Sequence, residues 1–168
     1  MTPMRVYLTG AGRGFVGSHV VRALEGAGHE VRRDWVDVRD LGSLTRALAN
    51  CDAVCHVGAL YSYTAPAAAL EAVNVLGTLN VLEACRRAGV GRILHTSTCG
   101  TCGPVAGRPA TEADGPPEWE LSVPYKRTKL EAERLALAAG AVCVNPTTPV
   151  GDGDYGPTPA GARRSTMA

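Results

Sequence analysis

The sequence predicts an α/β domain organised as a doubly wound parallel sheet, on three observations. A short β-forming run, Arg5-Val6-Tyr7-Leu8-Thr9, passes through Gly10, Gly12, Gly14 and Gly17 into Phe15, Val16, Val20, Val21 and Leu24 at helical spacing. Further along the chain, apolar strand-like runs keep alternating with helical ones. With 168 residues, 45% hydrophobic and 20% charged, the chain suits one soluble domain with a sizeable core. In such folds ligands gather at the carboxyl ends of the strands.

The elements follow in order. After the first helix, Gly28 suits the position just past a helix end. His29 to Arg33 reads as the second strand and Trp35 to Val38 as a third. The few residues between them are too short for a full crossover, so this corner is abbreviated. Asp40 opens a helix to Ala49 with Leu41, Leu44 and Leu48 on one face. Asp52 to Val57 is a strand apolar on both faces, as expected when helices cover both sides. Tyr61 and Tyr63 lie in the loop that follows, and Pro66 suits the first turn of a long helix, Ala67 to Ala88, ended by Gly89. Arg92 to Thr96 is the fifth strand. The stretch from Ser97 to Pro124 is a long loop rich in Gly and Pro, of the kind that carries function. Tyr125 to Ala139 is a helix stopped by Gly140, and Ala141 to Asn145 is the sixth strand. The domain is therefore drawn as residues 1–151, with an irregular tail at 152–168.

Composition narrows the function classes. A net charge of +1 offers no broad surface for nucleic acid or an anionic membrane. No apolar run is expected to span a bilayer, and the first strand begins too early for a signal peptide. A cytoplasmic location is expected. The six cysteines then read as reduced thiols. Cys99-Gly100-Thr101-Cys102 has metal or redox spacing, but no second pair accompanies it, so no metal site is expected.

Two patterns carry chemistry. The first is Gly12-Arg13-Gly14-Phe15-Val16-Gly17, a GxGxxG between strand and helix. One glycine permits the tight turn, one lets backbone approach a pyrophosphate, and one lets helix pack on strand. The helix N-terminus presents free N–H groups to phosphate. The second is Tyr125 and Lys129, four apart on one helical face. A lysine ammonium there is expected to lower the phenol pKa, so that the pair can exchange a proton with an alcohol or carbonyl. At the end of the fifth strand Thr96-Ser97-Thr98 offers hydroxyls, which at strand ends commonly cap the following loop.

Thr9-Gly10-Ala11 and Gly14-Phe15-Val16-Gly17 resemble the TGxxGFxG turn of the extended short-chain dehydrogenase/reductases, the NAD-dependent epimerase/dehydratase family, with one residue more. The Tyr125/Lys129 pair matches that family's YxxxK, and TSTCGTCG lines up with its FSSSxxxYG-like segment. Asp37-Val38-Arg39-Asp40 resembles GDLRD, and His56-Val57-Gly58-Ala59 resembles HxAA, with Gly58 for the usual Ala. Asn74 to Asn80 resembles NVxGTxN, and Asn145 to Gly151 resembles the segment near the nicotinamide. The likeness runs from Met4 to about Pro159 and is greatest to the hopanoid-associated sugar epimerase and dihydroflavonol-reductase-like branches.

The resemblance implies a Rossmann fold and hydride transfer between nicotinamide and a carbonyl or hydroxyl carbon of a sugar nucleotide or small ketone. It gives Thr98, Tyr125 and Lys129 the catalytic roles. It places Gly10, Gly12, Gly14, Phe15, Val16, Gly17, Asp37, Val38, Tyr125, Lys129 and Asn145 at the cofactor, with Asp37 and Val38 near adenine. His56 reads as a packed strand histidine and Asn74 as a support for the site. Arg32 and Arg33 at the end of the second strand lean the NAD(P) choice to NADP. A homodimer through the two long helices is implied as well. The family continues into a C-terminal substrate domain, which the terminal GARRSTMA does not resemble. A truncated chain is therefore expected, and a dinucleotide-binding module with little or no turnover stands as the alternative.

Overall fold

The computed structural model describes residues 2–154. Most of the irregular tail assigned to 152–168 lies outside the described residues. Five parallel strands form one sheet: β1 (Arg5–Leu8), β2 (Glu30–Arg32), β3 (Ala53–His56), β4 (Arg92–Thr96) and β5 (Val142–Val144), in the order β2-β1-β3-β4-β5. Helices α1 (Phe15–Gly26), α2 (Leu41–Ala47), α3 (Ala67–Leu70), α4 (Gly77–Ala88) and α5 (Pro124–Ala138) cover its faces. This is the doubly wound arrangement.

Side chains alternate across β1 and so divide the core in two. Val6 and Leu8 join Val21 and Cys55 under α1. Tyr7 points the other way, to Leu44, Leu48, Val54, Val81 and Cys85 under α2 and α4. Leu44 and Leu48, four apart, are fully buried, and each contributes roughly 1.5–3 kcal/mol by leaving water. The Asp40 carboxylate caps α2, accepting from Ser43 N at 3.0 Å and Ser43 Oγ at 2.6 Å. Gly89 and Gly140 end their helices at φ 71 and 80.

Three features differ from expectation. Trp35 to Val38 forms no strand. Its backbone is taken up by other groups: Asn80 Nδ2 donates to Val38 O at 3.0 Å, and Asp40 N to Asp37 O at 2.9 Å. Val38 instead plugs the core where Gly77 leaves room, since a Cβ on Gly77 would lie 2.5 Å from Val38 Cγ2. Next, the long helix Ala67–Ala88 contains a π-helical turn at Glu71–Leu76 between α3 and α4. Finally, that same helix is long and apolar enough to cross a membrane by length and composition, because leucines, valines and alanines fill most of it. Here Leu70, Val75, Val81, Ala84 and Cys85 are buried within the domain.

Candidate functional site

The glycine turn leaves β1 as a 3-10 turn, Thr9–Gly12. Gly10, Ala11 and Gly12 follow one another at φ 80, 56 and 60, and the left-handed Ala11 is the one of the three with a Cβ to accommodate. The turn's glycines have different reasons. A Cβ on Gly12 would meet Val21 Cγ2 at 2.8 Å, and one on Gly17 would meet Gly12 Cα at 3.1 Å, so these two let α1 lie against the turn. A Cβ on Gly14 would meet nothing within 4 Å, so its face is open to a ligand. The α1 N-terminus has no side-chain cap, and its intrahelical bonding begins with Ser18 N to Gly14 O at 2.9 Å. Its first-turn N–H groups are thus available to a phosphate. The turn fits a dinucleotide pyrophosphate on these grounds.

Two adjoining cavities, both reaching Ala59, lie at the carboxyl ends of the strands. The larger, about 490 Å³, is lined by Gly14, Phe15, Val16 and Gly17 on one side and by Ser97, Thr98, Tyr125 and Lys129 on the other. The smaller, about 280 Å³, is lined by Gly10, Asp37, Val38 and Gly58 among others. The Asp37 carboxylate is held by Arg39 Nε at 2.9 Å and by Arg39 N at 2.9 Å, which pull its pKa down to about 2.

Tyr125 opens α5 after Pro124 in the first turn. Its ring is packed by Tyr61 (centroids 4.9 Å apart) and Tyr63 (5.6 Å), which also pack on each other at 5.7 Å. Burial, then the two neighbouring phenols, push the Tyr125 pKa above the ordinary tyrosine value. This corrects the expectation that Lys129 depresses it: desolvation disfavours the phenolate. Lys129 is 3% exposed, and its Nζ donates to Thr96 O at 2.8 Å. Burial brings its own pKa down to about 8, against the opposing pull of Glu133. Thr98 Oγ1 accepts from Gly100 N at 3.3 Å, capping the short turn Cys99–Thr101. Ser97 Oγ is buried beside the cavity with no hydrogen-bond partner among the described residues.

A directional chain of hydrogen bonds joins the glycine turn to α5. Val57 N and Gly58 N donate to Thr9 Oγ1 at 3.0 and 2.9 Å, and Thr9 Oγ1 lies 2.8 Å from His56 Nδ1. His56 Nε2 lies 3.0 Å from Thr78 Oγ1, which donates to Asn74 O at 2.6 Å. The Thr78 proton is thereby used, so His56 carries its proton on Nε2 and accepts at Nδ1. Asn74 Nδ2 then donates to Leu60 O at 3.1 Å and to Thr128 Oγ1 at 3.2 Å, and Thr128 Oγ1 donates to Tyr125 O at 3.0 Å. His56 is a packed histidine, as expected.

Gly14, Phe15, Val16, Gly17, Thr98, Tyr125 and Lys129 thus meet around one cavity, and Gly10, Asp37 and Val38 around its neighbour. Gly12, Arg32, Arg33 and Asn145 line neither. Arg32 Nη1 donates to Ala49 O at 3.2 Å and Arg32 pairs with Asp34 at 3.7 Å, while Arg33 is exposed. The amide of Asn145 is engaged by Glu133 Oε2 and Thr101 Oγ1, both at 2.8 Å. Tyr61 and Tyr63 were absent from the sequence-derived site. Two tyrosines at i and i+2 just past a buried strand, in a chain only 5% aromatic, are the signal that points to them.

A model of the NAD dependent epimerase/dehydratase family matches residues 6–166. The chain is 37% identical over 180 residues to a putative dihydroflavonol 4-reductase of Synechocystis sp., covering 92% of this chain and 52% of the relative. It is 32% identical over 187 residues to a 2-alkyl-3-oxoalkanoate reductase of Stenotrophomonas maltophilia, covering 96% and 56%. Among solved structures, the Thermus thermophilus UDP-glucose 4-epimerase in complex with NAD is similar at TM-score 0.81 and 29% identity, covering 96% of this chain and 61% of that one. The chain spans about half the length of the curated relatives it matches.

Proposed function

The chain belongs to the NAD dependent epimerase/dehydratase family, and from that premise we propose that it is the nucleotide-binding and proton-transfer part of an NAD(P)-dependent oxidoreductase acting on a carbonyl or hydroxyl carbon. The observation that carries this is a single cavity bordered by the open glycine turn and by Thr98, Tyr125 and Lys129. The bound nicotinamide would supply or take up the hydride. The chain's own residues have the remaining tasks. The first-turn N–H groups of α1 hold pyrophosphate, with Gly14 leaving room for it. Asp37 and Val38 border the adjoining space for the adenosine half. The lean to NADP rests on Arg33, exposed just past β2, as the acceptor of a 2′-phosphate.

Tyr125 holds the proton at the substrate oxygen. With its pKa above the ordinary value, it is protonated at neutral pH and set to act first as an acid, in the direction of carbonyl reduction. Thr98, which lines the cavity, orients the same oxygen as charge develops on it. Lys129 places a positive charge behind the pair and fixes the end of β4 through Thr96 O. The walls of Tyr61 and Tyr63 favour a carbonyl compound with a flat or apolar body. The two curated relatives described above are both named as reductases, which supports reduction over epimerisation.

Titration calorimetry with NADH and NADPH, followed by turnover of cyclic ketones, tests the reading. Saturable binding and turnover that falls at least a hundredfold in Tyr125→Phe are expected. Equal turnover in that variant would overturn the assignment of Tyr125. Binding without turnover would leave a dinucleotide-binding module.

A further inference from the structure

Glu133 lies one helical turn past Lys129 on α5 and is buried. A carboxylate taken out of water needs donors, and it has two. Its Oε2 lies 2.7 Å from Thr101 Oγ1 and 2.8 Å from Asn145 Nδ2. The same two groups also lie near the Thr98 carbonyl, Thr101 Oγ1 at 2.7 Å and Asn145 Nδ2 at 3.2 Å, and the one Thr101 proton serves either that carbonyl or the Glu133 carboxylate. Lys129 meanwhile holds the Thr96 carbonyl. Two successive turns of α5 therefore grip the chain on either side of Ser97.

We propose that Glu133 is a positioning residue of this site: its buried carboxylate, braced by Thr101 and Asn145, fixes the Thr98 segment against α5 and, one helical turn from Lys129, sets the electrostatic surroundings of that lysine. The proposal rests on the roles given above to Thr98 and Lys129. It also explains why the Asn145 amide turns from the cavity.

The titratable groups near Lys129 come from β3, β4, β5 and the loop after β4. From β5, the Cys143 thiol is pushed up to about 11 by burial and then by Glu133. From the loop after β4, Cys102 is raised by the same two causes. From β4, His95 is pushed down by burial and then by the Lys129 charge, and from β3, His56 by burial, then by His95 and then by Lys129. Burial penalises the ammonium, and Glu133 opposes that penalty.

The chain has only two lysines, Lys126 and Lys129, so 13Cε-lysine labelling gives two resolved titrations by NMR. Lys126 pairs with Glu120 and is the internal reference. In Glu133→Gln the Lys129 midpoint is expected to fall by about one pH unit, with Lys126 unmoved and the Thr98 and Gly100 amide signals displaced. In Glu133→Asp, which keeps the charge, the fall is expected to be less than half as large. An unmoved Lys129 midpoint in Glu133→Gln with native circular dichroism overturns the proposal. Should that variant fail to fold, Thr101→Val carries the test: freeing the carboxylate must shift both the Lys129 midpoint and the Thr98 amide, and constancy of both overturns it. None of these readouts requires turnover or bound nucleotide. Failure of the Tyr125 assignment and failure of this one are therefore separate results.

Discussion

Asn74 and Asn80 sit on the same long helix, yet their replacement by alanine should differ about threefold in cost. Asn74 is 2% exposed and makes three side-chain hydrogen bonds: it accepts from Leu60 N at 2.8 Å and donates to Leu60 O at 3.1 Å and Thr128 Oγ1 at 3.2 Å. Asn80 donates once, to Val38 O at 3.0 Å. At about 1 kcal/mol net for each bond lost, Asn74→Ala should cost about 3 kcal/mol and Asn80→Ala about 1. The gain in helix propensity from alanine is similar at both positions and cancels in the comparison. For a chain of this size the losses correspond to Tm decreases of roughly 6–12 °C and 2–4 °C. Thermal and urea unfolding by circular dichroism give the stabilities. Hydrogen exchange gives a local readout, because the Leu60 amide should lose protection in Asn74→Ala and keep it in Asn80→Ala. Equal destabilisation of the two variants, or an unaltered Leu60 amide in Asn74→Ala, would refute the assignment of Asn74 as the bridge between that loop and α5.

Gly58→Ala should cost about 2 kcal/mol by overpacking, because the new Cβ would lie 3.1 Å from Gly10 N and 3.2 Å from Thr9 Oγ1, whereas Gly91→Ala, with open space around it, should be near neutral; paired urea melts decide, and equal midpoints would refute the packing argument. Stability should also fall on acidification from pH 7 to 5.5. His95 titrates at about 3 in the fold, pushed down by burial and Lys129, against about 6.5 unfolded. The unfolded chain thus takes up a proton that the fold refuses, at a cost approaching about 1.4 kcal/mol per pH unit below the unfolded pKa. His56 adds to the same slope. His95→Leu, which removes a ring whose two nitrogens have no hydrogen-bond partner among the described residues, should flatten the dependence, and an unchanged slope in that variant would refute the assignment.

Much of the site was legible because its parts recur at fixed offsets. A strand, a glycine turn and a helix read in one direction leave little choice about where Gly14 and Gly17 lie, and a four-residue step on a helix places Tyr125 and Lys129 together. Trp35 to Val38 misled because alternating apolar residues look the same whether they pair in a sheet or, as Val38 does, fill a gap over Gly77. The Tyr125 pKa was misread for a related reason. Spacing reveals the lysine on the same helix face, but the rings that desolvate the phenol come from a loop far away in sequence. Asn145 carried a cofactor role by resemblance, and what redirects it, Glu133, becomes visible only when α5 is packed beside β5.

Gly10 and Gly58 back onto one another, so that a Cβ on either would lie 3.1 Å from the other's backbone. One belongs to a turn a residue longer than the TGxxGFxG pattern that it resembles, the other stands where the HxAA pattern has alanine. In this structure the two departures touch. A methyl added at position 58 would press on the phosphate-facing turn from behind, so its effect should be read in the turn as well as at the position itself. Substitutions at these two positions should be scored as a pair, since either one taken alone misstates what the other permits.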